Sequence, residues 1–588
     1  VVKLSPQQLA AVNTDSKRAF VIAGAGAGKT STLTARITKL IQEDGISPYD
    51  VLAFTFTRKA AEEMRGRLIK SLGDEAKKVH LATMHSVGLR LIQQFGERIG
   101  LRENLTVYSE WESEMLLRDV CQELGVLIDG RWKIRKKDIL AVFNQFEQTG
   151  EEPDAYHEVF PVFQSFHQRC KENNALPYSG LIHGLRLLLE DGCITEHANW
   201  RHILVDEVQD IDLLQWSIIE QLVTKLKASL FCVGDVNQSI YGFRGAAPAY
   251  LLEHKDSFDI FPIEKNYRSA TSIVNAANRL ITHNKERFDT IMTPTVIDNH
   301  EVIVGKLPNA TGAMLAGCMQ HVISTGADVP ENITVLARSH GLLEGLGKAL
   351  SDLNIPFRRV GEKNALTRSE AFRTVIAPIK LAVNPYDNFS YMLYRRVLGV
   401  FDECYQEIRT TAILDVCSHY QAHCAKFESF TDGKSFIELV YWSLNKVATA
   451  TDLPQMDRIS FILGEWCGAH PDATAETFLE WLTFYDVQDE LDEETEPSVT
   501  LMTVHASKGL EFPTVFLYGC NETILPHKKS MTAKGIEEER RLTYVAVTRA
   551  EERLILAVRP EIEERLAGDE IVTLNTPESR FIAELELT

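Results

Sequence analysis

At 588 residues the chain is too long for one hydrophobic core, and roughly four domain-sized units are expected. Composition is ordinary for a globular protein, 45% hydrophobic and 24% charged, and no apolar run is long enough to span a bilayer. A net charge of −20 excludes a surface coated in positive potential, although a narrow cleft with local Lys/Arg and aromatic rings still suits a nucleic-acid backbone. The first residues, VVKLSPQQ, begin without Met and lack the basic-then-apolar pattern of a secretory signal, so a cytoplasmic setting is expected. Ten cysteines without a CxxC pair suit reduced thiols. Cys417-Ser-His419-Tyr-Gln-Ala-His423-Cys424 does not have a standard zinc spacing and reads as helix surface and core before metal site.

In chain order, Ser5 and Pro6 suit a helix start, with Gln7 and Gln8 just inside it. The apolar run Ala19-Phe20-Val21-Ile22 predicts a buried strand, and Ala23-Gly24-Ala25-Gly26-Ala27-Gly28-Lys29-Thr30-Ser31 predicts a phosphate loop opening onto a helix. Glycines let successive amides turn inward on a triphosphate, Lys29 reaches the β/γ oxygens, and the Thr30 hydroxyl is a Mg²⁺ ligand. Ala23 stands where the strict pattern has Gly. A second strand–helix unit follows, residues 51–57 then 58–70, as a parallel α/β sheet requires. Phe56 falls at the strand's C-terminal end and reads equally as base-stacking or core. Thr83-Met84-His85-Ser86 places polar groups at another strand end.

Residues 95–200 change to helical patterning and predict an inserted helical domain. Within it, residues 131–137 pack five basic residues around Trp132, either a DNA-contacting patch or a solvated helix face. His202-Ile203-Leu204-Val205-Asp206-Glu207 is an apolar strand delivering two carboxylates opposite the loop, Asp206 for Mg²⁺ and Glu207 for the attacking water. The next strand ends in Gly234-Asp235 and leads to Gln238, placed to sense a γ-phosphate. Tyr241 and Phe243, two residues apart, are placed to present rings to nucleobases. Strands are predicted again at 333–337, 355–360, 498–504 and 515–518, with helical patterning over 365–485 and an acidic run from 489 to 496 that reads as a solvated linker.

DEVQD, VGDVNQSIYGFRGA and Asn266-Tyr267-Arg268-Ser269 resemble motifs II, III and IV of the superfamily 1 helicases of the UvrD/Rep/PcrA type. LSPQQ resembles their Q motif, AGAGAGKT motif I (in which Ala at position 23 is normal), TFTRKAAEEM motif Ia and TMHS the next element. Residues 499–512 resemble motif V and residues 537–552 motif VI. The match is ordered and runs nearly end to end. Local departures are Arg58 for Asn, Val208 for Tyr or Phe, Phe243 for Trp and Ala546 for Gly. Ser579-Arg580-Phe581-Ile582 resembles the terminal element, with no nuclease-like extension after it.

The resemblance implies an α/β protein with two RecA-like P-loop domains of parallel sheet, each carrying an inserted, mainly helical domain. The expected boundaries are 1–94 and 201–265 for the first motor domain with insertion 95–200, and 266–364 and 491–588 for the second with insertion 365–490. It implies ATP and Mg²⁺ as cofactors, with Lys29, Glu207, Gln238, Arg268 and Arg549 catalytic, Thr30 and Asp206 on the metal, and Gln8, Tyr267 and Glu511 on the adenine and sugar. Phe56, Thr57, His85, Tyr241, Phe243, Arg244 and His505 would contact DNA. The activity implied is ATP-driven 3′–5′ movement along single-stranded DNA with duplex unwinding, on single-stranded and duplex DNA. Accessory replication or repair proteins are expected partners, and a bacterial or host cytoplasm the setting. The alternative is a translocase that strips proteins and needs a partner to unwind. A scaffold with a decayed nucleotide site is disfavoured because every catalytic position is filled, and an RNA helicase would be told apart by its response to the 2′-OH.

Overall fold

The computed structural model describes residues 4–246, 248–298, 304–360, 369–384, 386–398, 438, 440, 441, 443–445, 447, 456–484, 497–560, 562–565, 571–574 and 577–586. The chain forms two compact units, one of Val1–Thr83, Asn199–Glu362 and Asp486–Thr588, the other of Met84–Ala198 and Lys363–Tyr485.

The first unit holds two six-stranded sheets. In one, the order is Asp259–Ile263, Arg18–Ala23, Ser229–Gly234, His202–Val205, Val51–Thr55, His80–Thr83, and every pairing is parallel. The other runs Val304–Leu307, Ala550–Ala557, Phe512–Tyr518, Ile333–Ala337, Val499–Thr503, Phe357–Val360, again all parallel. Parallel strands need helical crossovers that cover both faces, so their sequences are continuously apolar rather than alternating. Val51–Thr55, Ile333–Ala337 and Val499–Thr503 are buried at every position. The expected two-sheet α/β class is therefore what the chain adopts. Because the strands run in one direction, the residues following Ala23, Val205 and Gly234 leave three adjacent strands at one edge of the first sheet, where ligands of such sheets bind.

The second unit is mainly helical. Met84–Phe95 packs on Gly180–Glu190. The approach is close enough that a Cβ at Gly88 would lie 2.8 Å from the Leu181 carbonyl oxygen, so glycine is required there. The 84–198 and 363–485 segments share a buried polar seam: Tyr108 Oη donates to Asp387 Oδ1 at 3.1 Å, and Asn384 Nδ2 donates to the Asn173 and Asn174 carbonyls at 3.0 and 2.9 Å. No described helix is long and apolar enough to cross a membrane.

Candidate nucleotide and nucleic-acid site

Helix Lys29–Gln42 begins on Gly28, which sits at φ 81° with no side-chain cap, so its first amides face outward as an anion cradle. Gly26, at φ 66°, lies against the segment following the first sheet: a Cβ there would stand 2.6 Å from Arg268 Cβ and 2.9 Å from Asn266 Nδ2. Asn266 Nδ2 donates to the Ala25 carbonyl at 2.8 Å, and the Tyr267 amide to Gly26 O at 3.0 Å. The loop and the Asn266-Tyr267-Arg268 stretch thus form one surface. Ser5 caps helix Pro6–Val12 as the sequence predicts, and Gln8 completes the capping box. The Gln8 amide lies on the loop, but its Oε1 accepts from Ser5 N at 2.7 Å and its Nε2 donates to Ala27 O at 3.1 Å. Tyr267 is 48% exposed, its ring open for stacking.

Opposite the loop, Lys29 Nζ pairs with Glu207 Oε1 at 2.9 Å. Glu207 adopts φ 48°, left-handed backbone unusual for a non-glycine residue and typical of strained functional positions. Burial would raise its pKa, but Lys29, then Lys508, and the hydrogen bond from Gln209 Nε2 overcome this and hold the carboxyl ionised. Asp206 shifts the other way, raised by burial and by the negative charge of Glu207. A buried carboxylate pushed toward protonation by its neighbour suits a cation, and with the Thr30 hydroxyl it offers hard oxygen donors of the Mg²⁺ type. Among the described residues no group of three or more His, Cys, Asp or Glu gathers as an all-protein metal site.

Arg268 and Arg549 complete the pocket. Arg268 pairs with Glu511. Arg549 is 2% exposed; its guanidinium donates to the Val545 carbonyl at 3.1 Å and the Leu510 carbonyl at 2.8 Å. Burial, then the neighbouring Arg268 charge, push its pKa down to about 9. Lys29 and Arg268 each have a carboxylate partner and Arg549 has only carbonyl and hydroxyl acceptors, so an oligoanion would complete the neutralisation of this cluster. Gln238 is 3% exposed, its Nε2 donating to Asp235 Oδ2 at 2.8 Å.

Beside this pocket lies an aromatic platform. Phe56 stacks on Tyr241 (centroids 5.2 Å apart, planes at 20°), Phe243 meets His505 edge-on at 5.6 Å, and the Arg244 guanidinium lies 5.4 Å from the Tyr241 ring. Phe56 is 39% and Phe243 64% exposed, so Phe56 is a platform ring and not a core one. His505 is held neutral at pH 7, its pKa lowered to about 4 by burial and by Arg338, Lys508 and Arg244. Thr57 caps helix Arg58–Leu72 by accepting from the Ala60 amide at 3.2 Å. His85 belongs to the second unit, stacked on Tyr178 at 4.3 Å.

Other sequence features resolve differently. Trp132 ends the two-stranded pair Leu127–Ile128/Arg131–Trp132 and packs against the apolar core of the second unit, Arg135 pairs with Asp138 at 2.6 Å, and Lys136 pairs with Glu114. Cys417–Cys424 and the acidic run at 489–496 lie outside the described residues. Lys508 carries no assignment from sequence, although it stands in the motif V stretch. Its ammonium donates to Asp210 Oδ1 and to the Gln238 carbonyl, both at 2.6 Å, and lies 4.9 Å from the Tyr241 ring, touching both the nucleotide side and the platform.

Comparison with known proteins matches residues 4–259 to the UvrD/REP helicase N-terminal domain and residues 261–441 and 453–560 to the UvrD-like helicase C-terminal domain. The ATP-dependent DNA helicase PcrA of Staphylococcus epidermidis is 29% identical over 95% of this chain and 83% of its own length. PcrA of Staphylococcus aureus is 28% identical over 94% of this chain and 83% of its own.

Proposed function

Since the chain belongs to the superfamily 1 helicases of the UvrD/Rep/PcrA type, we propose that it is an ATP-dependent DNA helicase that moves 3′–5′ along single-stranded DNA and unwinds duplex. The observation that carries this reading is the meeting, within one compact unit, of Lys29 and Glu207 from the first sheet with Arg549 from the second, next to the Phe56–Tyr241–Phe243 platform. The organisation proposed is two motor domains, each with a helical insertion, acting on DNA in the bacterial cytoplasm in replication or repair.

The residues divide the work as follows. The loop amides and Lys29 hold the β/γ-phosphates, and the triphosphate competes with Glu207 for the Lys29 ammonium. Glu207, kept ionised, accepts a hydrogen bond from the attacking water and aligns it. Thr30 and Asp206 would hold Mg²⁺, which supplies charge neutralisation on the phosphates. Arg268 and Arg549 stabilise charge on the equatorial oxygens of the transferring phosphoryl group, a contribution of about 10³–10⁵ in rate for such fingers. Because Arg549 leads into the second sheet and Arg268 lies in the separate strand pair Lys265–Ala270/Thr293–Val296, outside the first sheet, the closed arrangement is favoured by the triphosphate and loses that support after hydrolysis, a shift of populations by differential contacts. Tyr267 stacks on adenine, and the platform rings hold bases of the strand that is moved.

The test is ATPase activity with and without single-stranded DNA, alongside strand displacement from 3′-tailed, 5′-tailed and forked duplexes. The reading expects DNA-stimulated turnover, displacement from the 3′ tail, and loss of both in Lys29→Ala. ATPase indifferent to DNA would overturn it.

A further inference from the structure

The turn that carries the platform rings is gripped from the second sheet's side by one carboxylate. Glu537, Glu538 and Glu539 are consecutive on helix Ala533–Val547, yet each faces a different partner. Glu537 accepts from the Lys285 and Glu286 amides, both at 3.2 Å. Glu539 is 3% exposed and pairs with Arg338 at 2.9 Å. Glu538 alone turns to the platform, its carboxylate lying against the backbone of Gly242. The contact leaves no room at that position: a Cβ on Gly242 would lie 2.6 Å from Glu538 Oε1 and 3.2 Å from Oε2. Gly242 sits between Tyr241 and Phe243, so a base that tilts these rings must move the backbone against which Glu538 packs.

The helix is built to carry that movement. Every residue from Glu539 to Val547 is buried, and the helix packs against the 3₁₀ turn Val236–Gln238. Ala546, where the family usually has glycine, removes backbone freedom near its end. From Glu538 to Val547 the helix runs nine steps, about 14 Å at 1.5 Å per residue, and Arg549 stands two residues past its end. A close-packed rod of this kind transmits displacement and does not absorb it.

We propose, resting on the helicase reading above, that Glu538 is the positioning residue linking strand occupancy at the Tyr241–Phe243 turn to the placement of Arg549 at the phosphates. Glu538 acts through the Gly242 backbone and the helix. Linkage is reciprocal: whatever factor the strand exerts on nucleotide affinity, the nucleotide exerts on strand affinity, and loss of Glu538 must shrink both together. Damage that merely loosened one site would lower one affinity and leave that factor intact.

The test uses the full chain with Glu538→Ala, Glu538→Gln and Gly242→Ala. The readouts are ATPase with and without a thymidine oligonucleotide, and oligonucleotide Kd by fluorescence anisotropy with and without a non-hydrolysable ATP analogue. Glu538→Ala should cut maximal DNA stimulation by about tenfold and bring the analogue's effect on oligonucleotide Kd toward one, with DNA-free turnover within about twofold of wild type. Glu538→Gln keeps a side chain of the same size against that backbone and should retain stimulation within about threefold. Gly242→Ala, pushing on the same carboxylate from a surface turn, should match Glu538→Ala. A wild-type coupling factor in Glu538→Ala, or equal losses in the Ala and Gln variants, would overturn the linkage while leaving the helicase reading intact. Absence of DNA stimulation in the wild type would overturn that reading and this proposal with it.

Discussion

Lys508 and Asp210 form a buried ion pair, 2.6 Å from Nζ to Oδ1, that joins the second sheet's motif V stretch to the turn following Glu207. The Asp210 side chain is fully buried and that of Lys508 is 7% exposed. Burial raises the Asp210 pKa to about 6 even though Lys508 opposes the shift. A pair desolvated this far is costly to break from one side. Lys508→Met should destabilise the protein by ~3–5 kcal/mol because it strands a buried carboxylate, whereas Lys508→Met with Asp210→Asn should recover more than half of that loss. Urea midpoints of the wild type, both single variants and the double variant check this, and an additive double variant would exclude the pair as a stabilising unit.

Among the described residues Arg549 has no carboxylate partner, only carbonyls and the Thr548 hydroxyl, and the strongest charge acting on it is the repelling Arg268. Such a guanidinium gains most when an anion arrives, and gains further as charge spreads over the transferring phosphoryl oxygens. Arg549→Ala should therefore lower kcat by about 10³-fold or more, with a smaller change in KM for ATP. Arg549→Lys should rescue little, because a point charge cannot reproduce the planar fork. Steady-state ATPase at saturating oligonucleotide decides both points.

What the sequence revealed and what it concealed follow from the range of the interactions. The phosphate loop and the apolar strand ending in Asp206-Glu207 are local patterns, and continuous apolar runs separated by helices dictate parallel sheets. The two readings of Phe56 were separable only through Tyr241, far along the chain, on which it stacks. Trp132, in a basic run suggestive of DNA, was claimed by the core of its own unit. Lys508 stood in a recognised motif, but its partner lies 298 residues away, a pairing that no periodicity encodes. Gln8 and Thr57 show the opposite case, where local capping chemistry legible in sequence accounts for side chains also expected to touch ligands.

Phe243 occupies the position where the family usually carries Trp, and at 64% exposure it is the most open ring of the platform. Its stacking face is smaller than an indole's, so the site should be improvable. Phe243→Trp is expected to tighten oligonucleotide binding by about threefold to tenfold, and Phe243→Ala to weaken it by ~1–3 kcal/mol. Anisotropy titrations at one fixed salt concentration test both, since the electrostatic part of binding varies with salt. Equal affinities for the three proteins would remove Phe243 from the strand path.

Two histidines make the second unit acid-sensitive. His183 stacks on Phe146 with centroids 4.0 Å apart, and His167 sits among Phe143, Phe146, Phe163 and Phe166. Neither ring nitrogen of His183, nor Nε2 of His167, has a hydrogen-bond partner. Burial lowers the pKa of His167 to about 4 and, with help from Arg186 and His167, that of His183 to about 3. Both folded values lie below the unfolded value near 6.5, so the unfolded chain binds more protons and stability rises with pH across this window. Stability is fully present above about pH 6.5 and is lost as the pH falls toward the folded values, by ~2 kcal/mol per histidine between pH 7.5 and 5. Thermal unfolding at those two pH values should show a drop that is smaller in His183→Leu, because a neutral apolar side chain of similar size has no proton to take up. If the wild type and His183→Leu lose the same Tm on acidification, the sensitivity lies elsewhere, and the raised pKa of Asp210 does not supply it, because protonating that carboxyl in acid favours the folded state.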